Sequence, residues 1–414
     1  MLKLDADYKY RRHLFALVAA MFSMAMGVGF IVPLLPVYAD QLGASGTWIG
    51  LIFGANPFLR AAFMIVFGSL ADYRGKKKIM AGGLLGYLFV SLGFIWAASV
   101  LHLFYLRILQ GVFSSMISPV ARAYAGEISP PNREGSVMGI LNTGFFAGFA
   151  GGPIIGGLFA DHFGFTVPFY AMGILCGIAF ALVIVFVPEQ TAEDTATEIP
   201  QKRPSPMKLI VDSVKLLQNE LVRGMVLIRS SVGVGHGIFS ALLPLFAQVY
   251  LGVSSAQVGF AITTRALVGA LLQKKGGTLA DTLDRKKLAI FSSLLAPAGF
   301  LLVPHSQNFI QLLAVSVLIG VSFGISVPAA EAMAVEFGRS HNMGQIMGVK
   351  EMCRSLAMGI GSVTGGVALD LLGPVGAHVT AALASSVGLF IAFWNLRDYQ
   401  KFRKRQQADL AADD

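Results

Sequence analysis

Gly68-Ser69-Leu70-Ala71-Asp72-Tyr73-Arg74-Gly75-Lys76-Lys77-Lys78 returns, altered, as Gly277-Thr278-Leu279-Ala280-Asp281 with Arg285 beyond it, and this pair of stretches decides the fold. Each ends an apolar run on an aspartate followed by bases. The shift between them, 277 − 68, is 209 residues. The same shift carries Pro119 to Pro328, Glu127 to Glu336, and Met138-Gly139 to Met347-Gly348. It also carries Gly156-Gly157 to Gly365-Gly366 and Asp161 to Asp370. One ungapped register held over that distance makes the chain two copies of a single unit.

The unit belongs in lipid. Of 414 residues 55% are hydrophobic and only 13% charged, whereas a soluble surface needs about a quarter. Apolar runs at 13–39, 79–98, 166–187 and 375–394 are each long enough to cross roughly 30 Å of hydrocarbon as helix. Period-2 alternation is absent, so the spans are helices that satisfy their own backbone and not barrel strands. Hydropathy with Gly, Pro and charge punctuation places twelve spans near 13–39, 48–71, 79–99, 102–125, 135–160, 166–187, 223–249, 255–280, 287–303, 309–336, 345–370 and 375–396. The longest polar interruption, Pro188–Val222, reads as a linker with an amphipathic piece at Met207–Leu217. The expected architecture is an all-α membrane protein. It has six helices in 1–187, a cytoplasmic linker at 188–222, and six helices plus a tail in 223–414. Parallel repeats of this kind are related by an axis along the membrane normal, with a substrate site near the midplane.

Charge gives the orientation. The net +9 is placed at the amino terminus, after spans two, four, eight and ten, in the linker, and in the tail from Arg397 to Arg405. The alternate loops 40–47, 100–101, 161–165, 250–254, 304–308 and 371–374 contain no Lys or Arg. Positive loops stay cytoplasmic, so both termini are expected inside a cytoplasmic membrane. The basic balance is thus a topology signal and does not indicate nucleic acid. Run 13–39 is too long for the apolar core of a signal peptide and reads as an uncleaved first span. Cys176 and Cys353 fall inside spans and read as packing residues.

On these residues the chain resembles the major facilitator superfamily, and within it the twelve-span proton-coupled drug antiporters. The stretch from Gly68 to Lys78 is similar to the signature loop between spans two and three. Resemblance implies that Asp72 faces the start of span eleven and that Lys76 pairs with Glu127, closing the cytoplasmic side with Arg74. The second copy keeps Asp281, Arg285 and Glu336 but has Asp284 where Gly75 stood. Span five carries Gly139, Gly148, Gly152, Pro153, Gly156 and Gly157 in the spacing of the antiporter motif. Small residues there let helices approach, and the proline favours a bend. The second copy lacks that proline. Leu103, Arg107, Gln110 and Gly111 in span four resemble the family's third motif, whose arginine is associated with proton transfer; Val112 and Phe113 depart from it.

Charges inside spans are costly unless they face protein or water. Arg60, Arg107, His236, Arg265, Glu351 and Arg354, with Gln110, are therefore the expected substrate or proton pathway. Glu351 and Arg354 are three apart and share a helix face. Arg122 and Glu331 stand one repeat apart near the cytoplasmic ends of spans four and ten, and are expected to bridge across the halves. Span one holds no acid before Asp40, which leaves Glu351 or Glu331 to titrate and gives the first half a positive interior through Arg60 and Arg107. There is no Walker A sequence, nucleophile constellation or metal-ligand cluster. The reading is a secondary active, proton-coupled antiporter of small amphiphilic or drug-like compounds, working as a monomer among lipid without cofactor or nucleic acid. Two alternatives stand beside it: a transporter of an anionic metabolite or lipid-like amphiphile, and a non-transporting membrane receptor or scaffold.

Overall fold

The structure, a computed structural model, describes residues 11–129, 134–188, 215–339 and 343–401. Residues 189–214 of the expected linker lie outside them. The elements are α1 (Arg11–Ile31), α2 (Leu35–Gln41), α3 (Gly46–Arg74), α4 (Lys76–Ile95), α5 (Val100–Glu127), α6 (Glu134–Phe163) and α7 (Val167–Phe186). They continue with α8 (Glu220–Leu245) and a π turn (Phe246–Tyr250), α9 (Ser255–Thr282), α10 (Arg285–Ser293), α11 (Leu295–Leu302) and a 3-10 turn (Val303–His305), α12 (Phe309–Arg339) and α13 (Met343–Asn395). The repeat survives as geometry. Helices α3 and α9 start at 46 and 255, α4 and α10 at 76 and 285, and α5 and α12 at 100 and 309, each 209 apart.

Eleven of the described segments are long and apolar enough to cross a membrane. The last, Ile346–Asn395, has 50 residues, about 75 Å of helix at 1.5 Å per residue, enough for two crossings. Spans eleven and twelve are both inside it. The loop expected at 371–374 shrinks to one non-helical residue, Gly373 (φ 71°), followed by Pro374. Glycine ends one helix in the left-handed region and proline opens the next.

Two other spans differ from the sequence reading because prolines break them. Span one divides into α1 and α2 at 32–34, where Pro33 and Pro36 lack backbone donors. Gln248 Nε2 donates to the Pro33 carbonyl at 2.9 Å. Span nine divides at Leu294 beside Pro297; Ser322 Oγ donates to the Ser292 carbonyl at 2.7 Å, satisfying one of the oxygens near the break.

The chain packs as two compact units. The first holds residues 1–44, 55–203 and 247–263; the second holds 45–54, 204–246 and 264–414. The division falls inside two helices: 46–54 of α3 belong to the second unit, and 255–263 of α9 to the first. In the first unit α6 lies along α1 through small residues. A Cβ on Gly148 would collide with the Phe22 carbonyl, one on Gly152 would approach Gly29 Cα to 2.7 Å, and one on Gly156 would approach Phe30 Cα to 2.8 Å. Gly157 abuts Ser255, whereas a Cβ on Gly139 would meet nothing within 4 Å. The second unit packs α8 on α13 similarly, since a Cβ on Gly237 or Gly361 would overlap the carbonyl of Met358 or Val234.

Candidate functional site: buried charge in the membrane helices

The close packing of α8 on α13 brings a charged cluster together inside the second unit. On α13, Arg354 grips Glu351 through two bonds, Nε to Oε2 at 2.9 Å and Nη2 to Oε1 at 2.5 Å. The three-residue spacing places both on one helix face, as their sequence positions imply. One residue earlier, Lys350 Nζ pairs with the Glu331 carboxylate of α12 and also reaches Met347 Sδ at 3.2 Å. Glu331 is therefore joined to Lys350, a partner the sequence reading did not name. Arg229 of α8 stands in the field of Glu331, Glu351 and Arg354, with its Nε buried and unpartnered among the described residues.

Further along α8, His236 meets Arg265 of α9. Arg265 Nη1 donates to His236 Nδ1 at 2.9 Å, which puts the imidazole proton on Nε2. Arg265 is 6% exposed and lies between two rings, 5.3 Å from the centroid of Phe239 and 5.5 Å from that of Phe323. His236 stands edge-on to Phe323, with ring centroids 5.8 Å apart. Arg265 Nε has no hydrogen-bond partner, and no ion pair to Arg265 occurs among the described residues. The cluster thus gathers the cations of Arg229, Lys350 and Arg354 around the carboxylates of Glu331 and Glu351, and Arg265 adds a fourth cation beside His236.

The first unit has a smaller polar centre. Arg107 of α5 is 5% exposed and donates to Gln110 Oε1 at 2.5 Å, beside the fully buried Tyr87 of α4. Arg60 of α3 contributes its charge to the same surroundings and is itself half-buried. Arg122 is half-buried on α5. Arg265 falls one repeat after Asn56, so the two units place their buried arginines on different helices.

Toward the loops, the repeat builds two equivalent ion pairs. Lys76 Nζ lies 2.7 Å from Glu127 Oε1. One repeat on, Arg285 Nη1 lies 2.9 Å from Glu336 Oε2, with Asp281 3.6 Å from Arg285 Nη2. Tyr399 adds a hydroxyl donor to Glu336; burial, then that bond, push its phenol pKa up and keep the proton on it. Arg74 is exposed, and the side chain of Asp72 lies outside the described residues.

At the opposite helix ends two aspartates cap helix N-termini. Asp370 accepts from the amides of Gly46 at 2.6 Å and Thr47 at 2.8 Å, and from Thr47 Oγ1 at 2.6 Å. Asp161 accepts from the amides of Ser255 at 3.1 Å and Ala256 at 2.8 Å. The register is kept in full: acceptors 161 and 370, donors 46–47 and 255–256. Their pairing across the repeat was legible in the sequence, but their capping role was not, because backbone donors leave no mark there. Cys176 is buried and Cys353 half-buried, both as free thiols.

The family model of the Major Facilitator Superfamily matches residues 17–250 and 225–411. An uncharacterized MFS-type transporter of Methanocaldococcus jannaschii is 32% identical over 386 residues, covering 93% of this chain and 98% of that protein. The multidrug resistance protein MdtG of Salmonella arizonae is 27% identical over 412 residues, covering 96% and 98%. Among solved structures, a bacterial homolog of the human lysosomal transporter Spinster shares the fold with a TM-score of 0.77 at 15% identity, covering 96% and 98%. The nucleoside transporter NupG does so with a TM-score of 0.74 at 12% identity, covering 93% and 98%. Twelve apolar crossings in two copies, buried charge within them and relatives that match end to end lead to one conclusion: this chain belongs to the Major Facilitator Superfamily and is a multi-pass membrane transporter, not an enzyme.

Proposed function

We propose that the protein is a proton-coupled antiporter that exports small amphiphilic compounds across the cytoplasmic membrane, with both termini inside. The observation that carries this reading is the pair of carboxylates, Glu351 and Glu331, each held by a cation inside membrane helices. A carboxylate in such a place is costly and is kept where its charge is used. Protonation of Glu351 removes the partner of Arg354, and loss of the proton restores it, so occupancy by a proton and the position of a cation are linked. Direct ATP coupling has no motif to support it, which leaves an ion gradient as the driving force. The 27% identity to proteins named for multidrug resistance supports export of amphiphiles.

The test is transport into proteoliposomes under an imposed pH gradient, with cationic, neutral and anionic amphiphiles. Glu351→Gln should abolish acceleration by the gradient while leaving downhill exchange. Glu331→Gln should do the same more weakly, since Lys350 is freed but Arg354 is still held. Transport by the wild-type protein that ignores the gradient would sink proton coupling.

A second reading, that the cargo is anionic, is favoured by one feature: the cluster's cations outnumber its carboxylates.

A further inference from the structure

We infer that Arg265, with His236, Phe239 and Phe323, forms a binding subsite for a single negative charge, a carboxylate or phosphate, carried on an apolar body. The inference rests on the reading of the chain as an exporter of amphiphiles and adds the sign of the cargo's charge and the place where it docks.

Start from cost. A guanidinium taken out of water into a membrane helix needs a counter-charge or a full set of acceptors. Arg265 has one acceptor, His236 Nδ1, and two aromatic faces, and its Nε points at nothing that can accept. Stacking on rings offsets part of the desolvation, about 1–2 kcal/mol per favourable ring contact, and leaves the charge uncancelled. The carboxylates of the same cluster are already committed: Glu351 holds Arg354 through both oxygens, and Glu331 holds Lys350. The buried, unpartnered Nε of Arg265 is a donor suited to an anion. The flanking phenyl rings supply apolar surroundings, which suit the chain or ring that bears the charge. His236 is the orienting group. With Nδ1 occupied by Arg265, the imidazole holds the guanidinium in place, and Arg265 Nε is the donor left for an anionic oxygen.

Such a site makes an unusual stability forecast. A residue that serves the fold weakens it when removed; an uncompensated buried charge does the reverse. The probe is decanoate, compared with decylamine and decanol, and the readout is the melting temperature of the purified protein in neutral detergent. Decanoate should raise the wild-type melting temperature, and the other two should not. Arg265→Gln should melt at or above the wild-type temperature without decanoate and lose about tenfold or more in decanoate affinity, while Arg265→Lys keeps part of the shift. Nanodiscs of phosphatidylcholine, with and without phosphatidylglycerol, identify the source of the anion. A shift dependent on Arg265 with phosphatidylglycerol alone assigns the site to a lipid phosphate, and one that needs decanoate assigns it to free cargo; both uphold the subsite. An equal decanoate shift in wild type and Arg265→Gln, or no shift in wild type, overturns it. Export of decanoate, decanol and decylamine under a pH gradient in the same preparation tests the export reading separately: gradient-driven export of any one upholds it, so the subsite can fail while export stands, or the reverse.

Discussion

Glu336 holds both a guanidinium and a phenol, and this sets it apart from its repeat equivalent. It holds Arg285 and accepts the Tyr399 hydroxyl, and its side chain is 12% exposed, against 36% for Glu127 in the matching pair with Lys76. Removing an acceptor strands every donor it served, and the cost grows with burial. Glu336→Ala should therefore destabilise the protein by about 2 kcal/mol, and Glu127→Ala by less than about 1 kcal/mol. Tyr399→Phe, which keeps the ring and loses one donor, should fall between them at about 1 kcal/mol. Melting temperatures of the three variants in one detergent check the order; Glu127→Ala being the most damaging would refute it. At this scale the sequence was informative wherever partners share a helix or a repeat. Glu351 with Arg354 follows from spacing, and Lys76 with Glu127 from the family resemblance. Lys350 was missed because its partner comes from another helix, and one-dimensional spacing does not say which helix is the neighbour. Arg122 was set against Glu331 by their equivalent repeat positions, and the repeat gives no sign of Lys350, which Glu331 holds within its own unit.

Between helices, glycine decides how near two backbones come, and the span-five motif separates into working and idle positions. Gly148 has the Phe22 carbonyl where its Cβ would be, while Gly139 faces open space. Gly148→Ala should force α1 from α6 and cost about 1–3 kcal/mol, with transport falling alongside. Gly139→Ala should be neutral or slightly stabilising, since alanine is the better helix former. Paired measurements of melting temperature and transport distinguish them, and equal effects would show that the motif acts as a unit and not through contact. Helices as such were legible from hydropathy. Their breaks at 32–34 and at Leu294 were not, because a proline in an apolar run leaves the mean hydropathy unchanged while removing a backbone donor. At Gly373 the error ran the other way: a four-residue loop was read where one left-handed glycine makes the turn.

Across the whole molecule, the shift of 209 organises sequence, helix starts, ion pairs and caps alike, and for that reason the fold could be read in advance. The caps test how far the symmetry extends. Asp161→Asn and Asp370→Asn each replace one of two acceptor oxygens with an amide that faces backbone N–H groups, and each removes the charge that complements a helix N-terminus. Each should cost about 1 kcal/mol, and the two should match within a factor of two, as melting temperatures would show. Neither cap was visible as a function from sequence, since all but one of the donors, Thr47 Oγ1, are main-chain. That property has a consequence for watching the transporter at work. The amides of Gly46, Thr47, Ser255 and Ala256 are bonded to a carboxylate and not to a helix carbonyl, so their hydrogens exchange with deuterated solvent only as each aspartate lets go. Four protons already present in the unlabelled protein therefore report the state of both helix ends. Simultaneous exchange at 46–47 and 255–256 during turnover would mean that the two ends release as one event, and a lag between them would give their order.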